Sequence, residues 1–231
     1  MSALSLQHRL APLSTKPAGS LLLHEVYRSL QGESAYQGLP CVFVRTTACD
    51  LRCTWCDTPH AFTQGTVWSI DDVIAKVREF ATPIVEITGG EPLLQAEVFP
   101  LMTRLCDLGL IVLLETGGHR DLADVDRRVH IIMDLKCPGS GEAHANLWSN
   151  VDLLKPGDEI KLVIASEADF RWAEAACRTH HLTERVNVLM SPVFGMVQPI
   201  QLAEWLLESR LNVRMQLQLH KFVWDPKARG V

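Results

Sequence analysis

Two kinds of hydrophobic pattern alternate along most of the chain. Short apolar, β-branched runs predict strands over 21–28, 41–45, 84–88, 110–114, 129–135, 159–165, 185–190 and 213–219. Apolar residues spaced three or four positions apart predict helices over 70–80, 93–108, 167–179 and 199–209. Strands that alternate with helices favour βαβ units and a mostly parallel sheet, so the pattern predicts an α/β fold.

The ends and the overall charge narrow the range of functions. Residues 1–20 show no clear period, so we expect a loosely ordered N-terminal extension and one domain over 21–231. No apolar run is long enough for a membrane span, and the N-terminus lacks a signal-peptide pattern, which predicts a cytoplasmic protein without a membrane partner. The net charge of −5, without a basic cluster, argues against a nucleic-acid partner.

The cysteines are the first sign of chemistry. Three of the seven, Cys49, Cys53 and Cys56, lie within eight residues, which fits a metal centre better than a disulfide framework. Three thiolates in one loop can hold three corners of an iron–sulfur cube and leave the fourth iron open to a small molecule. Trp55 is placed to pack against such a cluster or a purine. The alternative is a zinc loop with His60 as the fourth ligand.

Glycines and polar residues follow several predicted strands directly. These segments are Thr88-Gly89-Gly90-Glu91-Pro92, Glu115-Thr116-Gly117-Gly118, Asp134-Leu135-Lys136 and Ser191-Pro192. In parallel sheets ligands bind beyond the carboxyl ends of the strands, so these segments predict a single active-site face. The simpler alternatives are a tight turn at the glycines and a solvated surface lysine at position 136.

The cysteine spacing, the aromatic residue before the third cysteine and the Gly-Gly-Glu-Pro segment together resemble the radical S-adenosylmethionine superfamily. The resemblance implies an incomplete (β/α) barrel, open on one side, a [4Fe–4S] cluster and S-adenosyl-L-methionine as cofactor. It implies that S-adenosylmethionine contacts Trp55, Gly89, Gly90, Glu91, Glu115, Asp134, Leu135, Lys136 and Ser191.

Further segments resemble the 7-carboxy-7-deazaguanine synthase family within that superfamily. They are Leu30-Gln31-Gly32-Glu33, Phe43-Val44-Arg45, Cys56-Asp57-Thr58 and Leu219-His220-Lys221-Phe222. The chain departs from the family pattern at Ser34, where relatives have Gly, and at Gly117, where many have Asn. The resemblance implies a lyase of queuosine and 7-deazaguanine (purine) biosynthesis. It would convert 6-carboxy-5,6,7,8-tetrahydropterin to 7-carboxy-7-deazaguanine by a 5′-deoxyadenosyl radical, with loss of ammonia.

The family resemblance also implies roles for individual residues. It implies that the pterin contacts Leu30, Gln31, Gly32, Glu33, Arg45, Thr88, His220 and the Val231 carboxylate. It also implies that Thr58 is a ligand of Mg²⁺. It further implies an external electron donor such as flavodoxin or ferredoxin, and a homodimer. The alternative for Arg45 is a structural ion pair, and the alternative for His220 is a hydrogen-bonded, partly buried histidine.

Two rival functions remain open from the sequence. A glycyl-radical activating enzyme shares the cluster loop but acts on a protein partner, and the Gln-Gly-Glu turn and His-Lys ending argue against it. A non-catalytic iron–sulfur or zinc module is the second rival, and the Gly-Gly-Glu-Pro segment argues against that one.

Overall fold

All strands that the structure describes belong to one sheet. The computed structural model describes residues 3–231, within which the strands are β1 (Ser20–Leu30), β2 (Pro40–Thr46), β3 (Thr66–Ser69), β4 (Ile84–Gly89), β5 (Ile111–Thr116), β6 (His130–Leu135), β7 (Glu159–Ile164), β8 (Asn187–Pro192) and β9 (Arg214–Met215). Their order across the sheet is β3-β1-β2-β4-β5-β6-β7-β8-β9. β1 is antiparallel to β2 and β3, and the remaining neighbours are parallel. The predicted α/β fold with a mostly parallel sheet is confirmed, and the sheet does not close into a barrel.

Most of the helices connect strands and pack against one face of the sheet. They are α1 (Ala3–Leu10), α2 (Ile70–Glu79), α3 (Val98–Asp107), α4 (Glu167–Thr179), α5 (Leu182–Arg185), α6 (Pro199–Ser209) and α7 (His220–Val223). Ser69 and Ser166 begin α2 and α4 as N-caps, since each side chain accepts a hydrogen bond from a backbone N–H three residues on. The apolar faces of these helices and the outward strand residues form the main hydrophobic core.

The two faces of the sheet differ because side chains alternate along each strand. Outward residues such as Val44, Ile87 and Leu162 are fully buried in the main core. The inward face has only a small apolar cluster at its base, formed by Cys41, Phe43, Ile84, Leu113 and Ile132. Above that cluster the inward positions carry polar and charged residues, and this is where the candidate site lies.

Three segments differ from the sequence predictions. The predicted helix over 93–108 is a 3₁₀ turn, Pro92–Leu94, followed by α3 from Val98. The chain leaves the helix at Gln95 because its buried amide bonds both the N–H and the C=O of Leu22 in β1. The short edge strand β3 was not predicted. The strand expected over 213–219 is reduced to the two residues of β9.

The N-terminal segment is helical where a loosely ordered extension was predicted. α1 is followed by a 3₁₀ turn, Ala11–Thr15, and Lys16 forms an ion pair of 2.6 Å with Glu97 at the start of α3. Arg9 donates a 2.5 Å hydrogen bond to the carbonyl of Asp50. The division into residues 1–20 and 21–231 stays a prediction, and positions 1 and 2 lie outside the described residues. Within the described part of the chain, no helix has the length and hydropathy to span a membrane.

Candidate active site

A cavity of about 260 Å³ lies on the inward face of the sheet, toward the carboxyl ends of the parallel strands. Adjacent strands each contribute inward polar side chains to it, namely Arg45 from β2, Thr88 from β4, Glu115 from β5, Asp134 from β6 and Lys161 from β7. The predicted single active-site face is therefore present in the structure as one continuous cavity.

The cavity gathers nearly every residue that the sequence pointed to. Its lining includes Leu30, Gln31, Gly32, Glu33, Arg45, Cys49, Cys53, Trp55, Cys56, Thr58, Thr88, Gly89, Gly90, Glu91, Glu115, Asp134, Lys136, His220 and Val231. Two predicted residues do not line it. The side chain of Leu135 points outward into the main core, and the fully buried Ser191 hydroxyl has no hydrogen-bond partner within residues 3–231.

The cysteine loop is held by two irregular connections rather than by helices. The β5–β6 connection has no helix, and the β6–β7 connection consists of 3₁₀ turns, including Pro138–Ser140 and Ala143–Ala145. Thr54 N–H donates to the carbonyl of Ser140 at 3.1 Å, and Arg52 N–H donates to the Glu142 carboxylate at 2.7 Å. The guanidinium of Arg52 also donates a hydrogen bond of 2.6 Å to the Cys49 carbonyl. These bonds fix the backbone that presents the three cysteines.

The arrangement of the three thiols fits a cluster better than a single ion. Among the described residues, only His24, Glu25 and His60 bring three ligand atoms within 4.8 Å of one another, so at least one pair of the three cysteine sulfurs is further apart than 4.8 Å. One zinc ion needs ligands about 2.0–2.3 Å from a common centre, which brings its ligand atoms closer together than this. Thiolates on different corners of an iron–sulfur cube are further apart, so the wider spacing favours a cluster over a single zinc ion. His60 lies beside His24 and Glu25, which argues against its role as the fourth ligand of a cysteine zinc site.

The cysteine environment also requires a bound cation to stabilise thiolates. Burial, with a further contribution from the Glu91 carboxylate, raises the pKa of Cys49 to about 12. Burial likewise raises the pKa of Cys53. Thiolates are the forms that ligate metals, so iron must supply the stabilising charge when it binds.

Glu91 joins the two glycine segments at the strand ends. Its carboxylate accepts hydrogen bonds from the Thr116 hydroxyl and the Gly117 N–H, both at 2.8 Å, and from the Leu93 N–H at 3.1 Å. The side chain is fully buried. Glu91 therefore fixes the position of the Gly-Gly-Glu-Pro segment relative to the Glu-Thr-Gly-Gly segment. This is a structural role in addition to the cofactor contact that was predicted for Glu91.

Gly90 packs directly against the cysteine loop. A Cβ atom at this position would lie 2.2 Å from the Ala48 carbonyl oxygen and 2.9 Å from the Cys49 Cβ. Its N–H donates to the Thr46 carbonyl at 3.1 Å. Glycine is required here because two backbones meet without room for a side chain.

A second polar group braces the cysteine loop from outside the cavity. His119 Nε2 lies 2.7 Å from the Asp50 carboxylate, and Arg120 also bonds that carboxylate. Although burial alone raises it, these partners lower the pKa of Asp50 to about 2. With Arg9 on the Asp50 carbonyl, the residue next to Cys49 is held through both its backbone and its side chain.

Lys161 is the electrostatic centre of the cavity. Its ammonium bonds the Glu115 carboxylate, lies 2.8 Å from Glu33 and 3.7 Å from Asp134. Although burial alone lowers it, these three carboxylates hold the pKa of Lys161 well above its usual value. Lys136 pairs with Asp134 at 3.0 Å and lines the cavity, so it is not the solvated surface lysine considered as an alternative.

The loop after β1 crosses the base of the cavity to reach the last strands. Leu219 N–H donates to the Gly32 carbonyl at 2.9 Å, and Ser34 N–H donates to the Gln216 side chain at 2.9 Å. The ring of His220 packs on Gly32 so closely that a Cβ there would lie 2.2 Å from its Nδ1. Ser34 has a φ of 65°, in the left-handed region that favours glycine, and glycine is the residue that the family pattern predicts at this position.

Arg45 is paired within the protein in this structure. Its Nε donates to Glu25 and an Nη donates to the Tyr27 hydroxyl, both at 2.8 Å. The ion pair considered as an alternative is thus present, and the guanidinium also borders the cavity.

Thr58 places its hydroxyl in the cavity 3.9 Å from the Cys56 sulfur, where it offers a hard oxygen of the kind Mg²⁺ binds.

Sequence reasoning missed several residues of the cavity. Lys161, Glu86, Tyr27, Glu25 and Gln218 all line it. For Lys161 the signal was available, because in β7 it alternates with Ile160, Leu162 and Ile164, which marks it as inward-facing. For Glu25 and Gln218 no comparable pattern exists, since their position follows from the antiparallel pairing of β1 and from the C-terminal loop.

Comparisons with known proteins identify the family of the chain. Residues 43–138 match the family described as the Radical SAM superfamily. A 7-carboxy-7-deazaguanine synthase from Chlorobaculum tepidum is 47% identical over 214 residues, covering 91% of this chain and 97% of the relative. One from Koribacter versatilis is 48% identical over 222 residues, covering 90% and 98%.

A solved structure shares the fold. The crystal structure of QueE from Escherichia coli matches with a TM-score of 0.73 at 21% identity, and the match covers 90% of this chain and 98% of that one. At that identity the likeness concerns the fold alone. The sequence relatives carry the assignment: this chain belongs to the 7-carboxy-7-deazaguanine synthase family of the radical S-adenosylmethionine superfamily.

Proposed function

We propose that this chain is a lyase that converts 6-carboxy-5,6,7,8-tetrahydropterin to 7-carboxy-7-deazaguanine, with ring contraction and loss of ammonia, in queuosine and 7-deazaguanine biosynthesis. The observation that carries the proposal is the shared cavity. The cysteine loop and the glycine segments lie in the same cavity as Gln31, Glu33, Arg45 and His220. A cofactor site and a polar site for a small carboxylated heterocycle are therefore adjacent.

The cysteines and glycine segments make up the cofactor half of the cavity. Cys49, Cys53 and Cys56 would hold a [4Fe–4S] cluster, which, together with S-adenosylmethionine, supplies a 5′-deoxyadenosyl radical when both are bound. The chain would position the methionine part along the backbone of Gly89 and Gly90, where no side chains intervene. Asp134 and Lys136, an ion pair at the cavity wall, would contact the ribose or the carboxylate of S-adenosylmethionine.

The opposite half offers groups that match a carboxylated pterin. Glu33 and Gln31 carry acceptor and amide groups suited to the amino and amide edge of the ring. Arg45 offers a fork of donors for the substrate carboxylate once its bond to Glu25 is exchanged. Thr88, His220 and the Val231 carboxylate border the same space and would complete the contacts.

Three further components belong to the proposal. Thr58 would contribute its hydroxyl to a Mg²⁺ ion that also binds the substrate carboxylate. An external reductant such as flavodoxin or ferredoxin would supply the electron. The enzyme would act as a cytoplasmic homodimer.

The proposal is tested by anaerobic reconstitution with iron and sulfide, followed by S-adenosylmethionine, a reductant, Mg²⁺ and 6-carboxytetrahydropterin. We expect mass spectrometry to detect 7-carboxy-7-deazaguanine with the wild-type protein and none with Cys53→Ala. The matched control is Cys106→Ala, on α3 outside the cavity, which should retain product formation. If 5′-deoxyadenosine forms without the product, the substrate assignment is wrong and an activating enzyme for a protein partner becomes the better account. If an intact cluster gives neither compound, the catalytic proposal fails.

A further inference from the structure

His24, Glu25 and His60 form a second cluster of metal-ligating side chains, apart from the cysteines. One ligand atom from each lies within 4.8 Å of the others, and all three side chains are half-buried. His24 and Glu25 belong to β1, and His60 belongs to the 3₁₀ turn Pro59–Phe62 that follows the third cysteine. The imidazole rings of His24 and His60 have their centres 4.9 Å apart.

The hydrogen bonds of these residues leave metal-binding atoms available. His24 Nδ1 lies 2.9 Å from the Gln64 carbonyl oxygen. A carbonyl only accepts, so Nδ1 carries the proton and the lone pair is on Nε2. A backbone carbonyl behind one ring nitrogen is the arrangement that orients a metal-bound histidine.

Glu25 and His60 complete the set. Arg45 bonds Oε1 of Glu25, while Oε2 accepts no hydrogen bond from the rest of the described chain. Neither ring nitrogen of His60 has a hydrogen-bond partner among residues 3–231.

We propose that His24, Glu25 and His60 bind one divalent ion of the Zn²⁺ class at the rim of the active-site cavity. Two imidazoles and one carboxylate are a donor set that zinc takes with a water in the fourth position, whereas Mg²⁺ prefers oxygen ligands. This site is therefore separate from the one proposed for Thr58. The bound ion would fasten the turn after Cys56-Asp57-Thr58 to β1, and so limit movement of the segment that carries the third cysteine.

The test measures Zn²⁺ binding by the reconstituted holoenzyme, in excess Mg²⁺, in competition with a chromophoric chelator. We expect the wild type to take one equivalent of Zn²⁺ per chain from the chelator, and the His24→Ala/His60→Ala variant to take none. The iron contents of the two proteins should agree. His181→Ala is the matched control, since His181 is an exposed histidine beside α5, and it should bind as the wild type does. Equal zinc uptake by the double variant, or no uptake by the wild type, would overturn the proposal.

A second measurement does not depend on the variants folding. X-ray absorption at the zinc edge of the loaded wild-type holoenzyme should show a nitrogen and oxygen shell with imidazole scattering. A sulfur-rich shell would mean that zinc had entered the cysteine loop and would contradict the proposal. Neither readout requires turnover, so the result is independent of whether the proposed reaction is correct.

Discussion

Lys161 Nζ lies 2.8 Å from the Glu33 carboxylate and thereby joins β7 to the loop that follows β1. The same ammonium contacts Glu115 and Asp134, which lie on the cofactor side of the cavity. One buried cation thus sets the position of carboxylates that belong to both halves of the site.

Replacement of this cation should disturb both halves at once. Lys161→Met keeps most of the side-chain volume but leaves Glu33 and Glu115 without their cationic partner, while Asp134 keeps its ion pair with Lys136. Loss of one partner from a buried ion pair costs about 3–5 kcal/mol, so we expect a clearly lower melting temperature. Displacement of Glu33 and Glu115 should also reduce kcat/KM about 100-fold.

The control for this change is Lys76→Met. Lys76 forms an exposed ion pair with Glu79 on α2, and such pairs contribute about 0–1 kcal/mol. We expect its melting temperature and kcat/KM to match the wild type. If Lys161→Met matched the wild type as well, the central role of this ammonium would be wrong.

Glu86 should make stability depend on pH. Burial, followed by the Glu115 charge, raises the pKa of Glu86 well above its usual value of 4.5, and the Gln31 amide bonds its carboxyl. Above pH 4.5 the folded state therefore keeps a proton on Glu86 that the unfolded state has released. The free energy of unfolding consequently falls as pH rises from 4.5 toward the raised pKa.

Glu86→Gln removes this titration and keeps an oxygen for the Gln31 amide. We expect the free energy of unfolding of the variant, relative to wild type, to increase as pH rises above the usual carboxyl pKa of 4.5, by at most about 1.4 kcal/mol per pH unit. Urea unfolding at several pH values measures this difference. A difference that stays constant, or one that shrinks as pH rises, would contradict the assignment.

Gly90→Ala should impair cluster assembly. The added methyl group would meet the Ala48 carbonyl and the Cys49 Cβ, so the cysteine loop must shift. Overpacking of this kind costs about 1–3 kcal/mol, and we expect iron content after reconstitution to fall along with 5′-deoxyadenosine formation. At Gly195 an added Cβ meets no atom within 4 Å, so alanine there brings only the backbone strain of a φ of 81°, away from the cysteine loop, and both readouts should stay at the wild-type level. Normal iron content in Gly90→Ala would argue against the close packing described here.

Thr58 should determine the Mg²⁺ requirement. Thr58→Ala removes the hydroxyl, and we expect the Mg²⁺ concentration that gives half-maximal activity to rise at least about 10-fold. Thr58→Ser retains the oxygen and is the matched control, with a response close to wild type. Identical Mg²⁺ titrations for all three proteins would remove Thr58 from the proposed ion site.

The fold was predictable because its signals are local. The β-branched runs of β4 and β7 and the spacing of α2 and α4 specify elements that the structure contains within a few residues. The start of α3 was not predictable, since the amide of Gln95 bonds β1, a partner 73 residues away. The N-terminal segment with α1 was not predictable for the same reason, because its contacts are with residues far along the chain. Arg9 bonds the Asp50 carbonyl, and Lys16 pairs with Glu97.

The site was predictable where one segment carries several functional groups. The cysteine loop and the Gly-Gly-Glu-Pro segment are of this kind, and both lie in the cavity. Leu135 shows the limit of the approach, because its neighbours Asp134 and Lys136 face inward while strand alternation turns Leu135 into the core. The inward orientation of Lys161 can be predicted from the alternation within β7, whereas its carboxylate partners Glu33 and Glu115 cannot, because they lie on distant segments of the chain.

The proposed reaction requires that a radical formed in this cavity reach C6 of the pterin. Turnover of 6-carboxytetrahydropterin deuterated at C6, with mass spectrometry of the 5′-deoxyadenosine and the deazaguanine, tests this requirement directly. We expect deuterium in 5′-deoxyadenosine together with formation of 7-carboxy-7-deazaguanine. Unlabelled 5′-deoxyadenosine, formed at the same rate whether or not the pterin is present, would contradict it.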